Sequence, residues 1–245
     1  MRNLLTFLTI LTGLLFSIQT NARELTVYYH ERPPYIYLDQ QGSLQGITGR
    51  TAVNALRSSG REIRLSKLPA PRQLVMLEAN TIEACAIGWF KTAERQQYLQ
   101  YSLPIYNDQA TVAIAHYANP KLQSSERADH ILARDDITAL TKTSYSYGDY
   151  LDQLLNDNPQ VERVSAENHS MLAMIASQRV DIMFIVPEEF AGLLKTSPYT
   201  AQDFRVITLT DISAGTARYI VCNHQVPAST MDHVNKWIKH HIVAF

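Results

Sequence analysis

Apolar and polar positions follow one another in short blocks along this chain, and the blocks predict alternating strands and helices. Residues 25–30 form a β-rich run that Pro33 and Pro34 end, because proline cannot continue a ladder. Residues 35–38 read as a second extended piece, followed by a turn at 39–42. The spacing predicts a helix over 48–58, with Gly60 at its stop. A strand over 63–68 comes next, then a helix over 72–79 opened by Pro71. The run at 82–87 is short and apolar, as expected of a buried strand. A loop at 88–92, a short helix at 93–98 and a strand at 111–115 complete the first half. This β-α-β-α-β order is that of an α/β layer with a mainly parallel sheet.

The second half repeats the rhythm. A weak strand at 137–140 precedes a helix over 147–155, with Tyr147, Leu151, Leu154 and Leu155 on one face. A strand at 161–164, a helix at 170–177, a buried strand at 180–186 and a helix at 188–195 follow. One more strand covers 216–222, and a terminal helix 230–242. Met171 and Met174 read as core rather than as a soft-metal site.

Composition narrows the function classes. With 46% hydrophobic and 18% charged residues, the chain is too apolar and too weakly charged to be disordered. A net charge of -1 lacks the basic footprint of a nucleic-acid binder, so no nucleic-acid partner is expected. Two cysteines are too few for a disulfide scaffold or a four-thiolate zinc site. No G-x-S-x-G, H-E-x-x-H, G-x-G-x-x-G or P-loop pattern occurs. His240 and His241 are neighbours that point apart on a helix, so no metal site and no cofactor are expected. Glu188 and Glu189 follow Pro187 and read as an acidic first helical turn favoured by the macrodipole.

Residues 1–22 change the compartment. Arg2 precedes an uncharged apolar run over 4–18, and Thr20-Asn21-Ala22 supplies small residues at the -3 and -1 positions of a cleavage site. This is the pattern of a cleaved secretory signal peptide, and the apolar run is shorter than the roughly 20 residues a membrane span needs. Cleavage leaves a chain of 223 residues with a formal charge of -2 in an oxidising, extracytoplasmic compartment. There Cys85 and Cys222 either pair or remain buried thiols.

Residues 25–240 resemble a family. The stretch from Pro71-Arg72 through Ile82-Glu-Ala-Cys-Ala-Ile-Gly-Trp-Phe-Lys-Thr92-Ala-Glu-Arg95 to Ser102-Leu-Pro104-Ile-Tyr106 is similar to periplasmic solute-binding proteins of family 3, the polar amino-acid-binding type of ABC transporter. Pro33-Pro34-Tyr35 with Gly42 and Gly46, then Ser144–Gly148 and Gln178-Arg-Val-Asp181, extend the match in order and spacing. The resemblance implies an α/β, two-lobed periplasmic binding protein (type II) with two hinge strands and a ligand cleft between the lobes. It implies lobe 1 at 23–115 plus 215–245 and lobe 2 at 116–214, with hinge-proximal strands at 111–115 and 216–222. It also sets the strand of Cys85 beside that of Cys222. The implied protein is a periplasmic monomer that is not an enzyme and presents a small-molecule ligand to a membrane permease or sensor.

Ligands of open α/β sheets sit at the carboxyl ends of the strands. The resemblance makes Arg95 the residue that grips a ligand carboxylate, a task suited to a planar guanidinium. A surface ion pair with Glu94 is the alternative. Thr92 adds a hydroxyl, and Gly88 admits close approach. Ser144, Tyr145 and Ser146 form the opposite jaw at a helix start, where Ser144 or Ser146 would alternatively serve only as a cap. Tyr35, Trp89 and Phe90 offer aromatic faces or ordinary packing. Arg72, His169 and Glu188 are secondary candidates for the ligand site.

Three departures stand out. Val186 occupies the position where amino-acid binders carry an aspartate for the ligand ammonium. Phe90 replaces a usual serine, and the first loop lacks an acidic residue near Tyr29. The carboxylate half of the site is therefore expected, the ammonium half is not, and an anionic or aromatic carboxylate fits best. Two other readings remain open: a dehydratase-like enzyme on the same fold using Glu188 or His169, and an orphan sensory protein.

Overall fold

The computed structural model describes residues 24–212 and 214–242. The segment read as a signal peptide lies outside the described residues. Among the described residues no helix is long and apolar enough to cross a membrane.

The first part runs β1 (Leu25–Tyr29), a small hairpin of β2 (Tyr37–Leu38) and β3 (Leu44–Gln45), α1 (Gly49–Arg57), β4 (Ile63–Lys67), α2 (Ala70–Glu78), β5 (Ala84–Trp89) and β6 (Gln100–Asn107). The middle runs β7 (Val112–His116), β8 (Ser125–Glu126), α3 (Ala128–Leu132), β9 (Ala139–Lys142), α4 (Asp149–Leu155), β10 (Val161–Val164), α5 (Asn168–Ala176), β11 (Ile182–Ile185), α6 (Pro187–Leu194) and β12 (Phe204–Leu209). The chain then returns through β13 (Ala217–Cys222) and ends in α7 (Ala228–His241).

Two sheets result. One has the order β4-β1-β5-β13-β6, the other β10-β9-β11-β7-β12-β8. In the first, β1 lies parallel to β4 and β5, and the returning β13 is antiparallel to β5 and β6. In the second, β9 is parallel to β10 and β11, and β7 is antiparallel to β11 and β12. The strands carry apolar side chains on both faces. In β11, Ile182 and Phe184 enter one cluster, while Met183 and Ile185 enter another. In β5, Cys85 and Ile87 face one cluster, while Ala84 and Ala86 face its opposite. This two-sided burial, with period two, is why these strands read as unbroken apolar runs.

The sequence placed the break between the units at 115/116. The strand at 112–116 instead lies inside the second sheet, paired with β11 and β12, so the crossing falls between Asn107 and Val112. The return falls between Leu209 and Ala217. The two crossings touch: Asp108 N–H donates to Thr216 O at 3.2 Å, and a Cβ on Gly215 would lie 1.5 Å from Asp108 O. Only a residue without a side chain allows that approach.

Strands β6 and β12 and the short α3 were not expected. Pro104 disguises β6, but it faces a register irregularity against β13, where a missing donor is tolerated. Cys85 and Cys222 stand opposite each other in the β5/β13 pair and are disulfide-bonded. The bond ties the returning segment to the first sheet across a separation of 137 residues.

Candidate functional site

The carboxyl end of β5 opens onto a cleft between the two lobes. Its open space amounts to about 490 Å³. From the first lobe come His30, Arg32, Tyr35, Thr48, Gly88, Trp89, Phe90, Arg95 and Arg218; from the second, Tyr145 and Ser146.

The first lobe's face is built around two arginines. Arg95 sits in a 3-10 turn after β5, and its N–H donates to Thr92 Oγ1 at 3.3 Å. Arg95 is 6% exposed, and its guanidinium donates to the carbonyls of Phe90, at 3.3 Å, and of Ser144 across the cleft, at 3.0 Å. The guanidinium carbon lies 4.9 Å from the Trp89 ring centre. The expected alternative, a pair with Glu94, is not formed, and no carboxylate pairs with Arg95 among the described residues.

Arg218, on β13, is different. Its Nε donates to Asp108 Oδ1 at 2.7 Å, and its Nη2 lies 2.6 Å from Oδ2. The pair is 3% and 0% exposed. Arg218 also donates to Gly88 O at 2.9 Å and lies between the Tyr35 and Phe90 rings, 4.1 and 4.6 Å from their centres. Tyr35 O–H completes the Asp108 shell at 2.9 Å. Burial pushes the Asp108 carboxyl up, against the opposing pull of Arg218.

A relay of polar groups runs across the cleft. Trp89 Nε1 donates to Gln73 Oε1 at 3.3 Å, Gln73 Nε2 meets His30 Nδ1 at 3.2 Å, and His30 Nε2 meets Tyr145 O–H at 2.9 Å. Burial, with Arg32 and Lys142 adding to it, lowers the His30 pKa to about 3. The ring is therefore neutral at ordinary pH. Because Gln73 Nε2 is a donor, Nδ1 accepts and the ring proton sits on Nε2, facing Tyr145.

Other contacts hold the lobes together. Arg32 crosses from the first lobe to Glu189 on α6, with Nε to Oε1 and Nη2 to Oε2 both at 2.6 Å. Burial alone would raise the Glu189 carboxyl, but Arg32 outweighs it and holds the group low. Tyr106 O–H donates to Glu188 Oε1 at 2.8 Å. Gly192 lies against Pro33 and Pro34, where a Cβ would come within 2.9 Å of Pro34 Cδ.

Of the residues named from sequence, Tyr35, Gly88, Trp89, Phe90, Arg95, Tyr145 and Ser146 meet in this cleft. Thr92 caps the Arg95 turn instead of lining the space. Ser144 contributes its carbonyl, not its hydroxyl, to Arg95. The residues that open α4, Asp149, Tyr150 and Leu151, do not line the cleft but a separate outer pocket. Asp152 takes Tyr147 N–H at 2.7 Å and the Ser146 hydroxyl at 2.5 Å, and Gly148 faces Thr216 at the crossing. Arg72 is exposed on α2, away from the cleft lining. His169 is exposed beside an outer pocket and bonded to Thr196. Glu188 binds Tyr106 and Gln109 N–H, and neither it nor His169, the two residues named for an enzyme reading, is in the cleft lining.

Sequence reasoning missed His30, Arg32, Arg218 and Glu189. Arg218 had a readable signal, as a lone arginine within an otherwise apolar strand. Arg32 and Glu189 are 157 positions apart and had none.

Comparison with known proteins follows this geometry. A family model described as bacterial extracellular solute-binding proteins, family 3, matches residues 25–241. No curated protein matches the chain in sequence. Among solved structures, the arginine-, lysine-, histidine-binding protein ArtJ of Geobacillus stearothermophilus is similar at a TM-score of 0.69 and 15% identity, covering 90% of each chain. An ancestral arginine-binding protein bound to arginine gives 0.67 and 15%, covering 89% of this chain and 91% of that one. The arginine-binding protein of T. maritima, in its holo form, gives 0.66 and 14%, covering 89% of each. These likenesses establish the fold: two α/β lobes with a cleft between them.

Proposed function

The chain belongs to family 3 of the bacterial extracellular solute-binding proteins, and from that premise we propose that its cleft captures a small carboxylate solute. The observation that carries this reading is Arg95. It is a buried guanidinium with no carboxylate partner, held by two main-chain carbonyls at the mouth of β5. A ligand carboxylate replaces weak carbonyl contacts with two parallel charge-assisted bonds. Trp89, Phe90 and Tyr35 then flank the ligand's apolar or aromatic body. Tyr145 and Ser146 meet it from the second lobe, and contact with both lobes at once favours closure.

In this reading residues 1–22 direct the protein to the periplasm, where the Cys85–Cys222 bond is stable. The loaded protein, acting as a monomer, docks on an ABC-type permease or a membrane sensor. A thermal-shift panel of organic acids, amino acids and amines tests the reading. At a hundredfold excess over Kd, a true ligand stabilises by about 2.7 kcal/mol. The shift should vanish in Arg95→Ala. Full affinity in that variant would remove Arg95 from the site.

A further inference from the structure

The acids nearest the cleft lining are engaged by groups of the chain itself; Asp152, behind Ser146, takes the Ser146 hydroxyl and Tyr147 N–H. Asp108 is closed off by Arg218 and Tyr35. Glu189 is bound at both oxygens by Arg32, and its Oε1 also takes Asn168 Nδ2 at 2.5 Å. At the outer mouth Glu31 pairs with Lys67, and Glu167 with Lys142. Glu188 lies outside the lining, its Oε1 held by Tyr106 and Gln109 N–H and its Oε2 buried without a hydrogen-bond partner among the described residues. The position of Val186, in contrast, is apolar and packed. Among the described residues, Arg95 alone of these cleft arginines has no carboxylate hydrogen-bonded or ion-paired to it; Asp152 acts on it only at longer range.

A zwitterion needs two opposite partners. Its carboxylate needs a cation and its ammonium needs an anion or several acceptors, because burying an unpaired charge is costly. This cleft offers the first and has occupied the second. The Arg32 guanidinium crosses between the Tyr35 and Tyr145 rings, 5.3 Å from each centre, and fills the place before Glu189.

We propose that Arg32 is a specificity-determining residue: by occupying Glu189 from across the cleft, it restricts the site to carboxylates that carry no α-ammonium group. The proposal deepens the carboxylate reading above and rests on it. The ligand class is a des-amino acid anion with an apolar or aromatic body. Arg32 acts by exclusion and does not itself need to touch the ligand.

Matched probe pairs test it by titration calorimetry: 3-phenylpropanoate against L-phenylalanine, and pentanoate against L-norvaline, with 2-phenylethylamine as the amine control. The wild-type protein should bind the des-amino member of a pair at least about tenfold more tightly, the scale set by an uncompensated buried charge. Arg32→Met frees Glu189, and the preference should fall about tenfold or reverse. Arg32→Met combined with Glu189→Gln removes the freed charge, so the wild-type preference should return. Arg32→Lys keeps a cation before Glu189 and should retain the preference, which guards against a folding defect in the Met variant.

Equal affinity for both members in the wild type overturns the proposal. So does an unchanged ratio in a folded Arg32→Met protein. In both cases loss of all binding in Arg95→Ala leaves the carboxylate reading standing. Binding of 2-phenylethylamine alone, or of no acid in either pair, removes the carboxylate reading and this proposal together.

Discussion

The two faces of the cleft are built on different principles. The first lobe's face is braced from within: Arg218 rests on Asp108, Tyr35 donates to the same carboxylate, and Trp89 is fixed by Gln73. The second lobe's face is braced from across the gap. Tyr145 meets His30, Ser144 O meets Arg95, Glu189 meets Arg32 and Glu188 meets Tyr106. The first face therefore rests on contacts within its own lobe, and the second on contacts between the lobes that separation would break. A preorganised face lowers the entropy cost of capture, while the dependent face couples capture to movement.

The strongest way to break this comparison is to remove one arginine from each kind of contact. Arg218→Ala leaves Asp108 buried and unpaired, and should cost about 3–5 kcal/mol in a urea melt. Glu189→Gln should cost less than half as much, because Arg32 regains water when the lobes separate. Equal losses would erase the distinction.

The disulfide comes next. Replacing Cys85 and Cys222 by alanine should lower stability by about 2–4 kcal/mol. Hydrogen exchange should quicken at β5 and β13 while β9 and β11 keep their protection. Uniform quickening would mean that the two lobes unfold as one unit.

Acid probes the relay between the faces. Burial and neighbouring cations hold the pKa of His30 at about 3, below the ordinary value of 6.5. The opened or unfolded chain takes up this proton first. Stability is complete above pH 6.5 and declines as pH falls toward 3, by about 2 kcal/mol at pH 5. Glu189, held low by Arg32 against the effect of its burial, adds a loss of the same sign below its ordinary value of 4.5. His30→Gln should flatten the decline between pH 6.5 and 5. An undiminished slope would place its origin elsewhere.

Gly192→Ala is the smallest change. Its Cβ would press on Pro34 Cδ at 2.9 Å and Pro33 O at 3.0 Å. Closure should weaken by about 1–2 kcal/mol, seen as a larger radius of gyration with an unchanged urea midpoint. A shifted midpoint would show that the contact supports the fold and not only closure.

The same contrast explains what the sequence could reveal. Elements with strong local patterns, such as β1, β11 and α7, were legible because periodicity and turn residues are local signals. Arg95, Trp89 and Phe90 were legible as cleft-lining residues because they share one short motif that starts at the end of β5. The strand at 100–107 was hidden by Pro104, and the strand at 112–116 was assigned to the wrong sheet, since partner choice is a tertiary property. Glu189 does sit in an acidic first turn after Pro187, as its sequence suggests. Its carboxylate is nonetheless taken by a residue of the other lobe. Contacts made only on closure leave no trace in local spacing, which is why the dependent face was the less legible one.

A crystal structure with 3-phenylpropanoate tests the central claim most directly. The account predicts both carboxylate oxygens on the Arg95 guanidinium at about 2.7–2.9 Å, the distance of charge-assisted pairs, with the ring between the first lobe's aromatics. A carboxylate held elsewhere, with Arg95 still bonded to the carbonyls of Phe90 and Ser144, would contradict it.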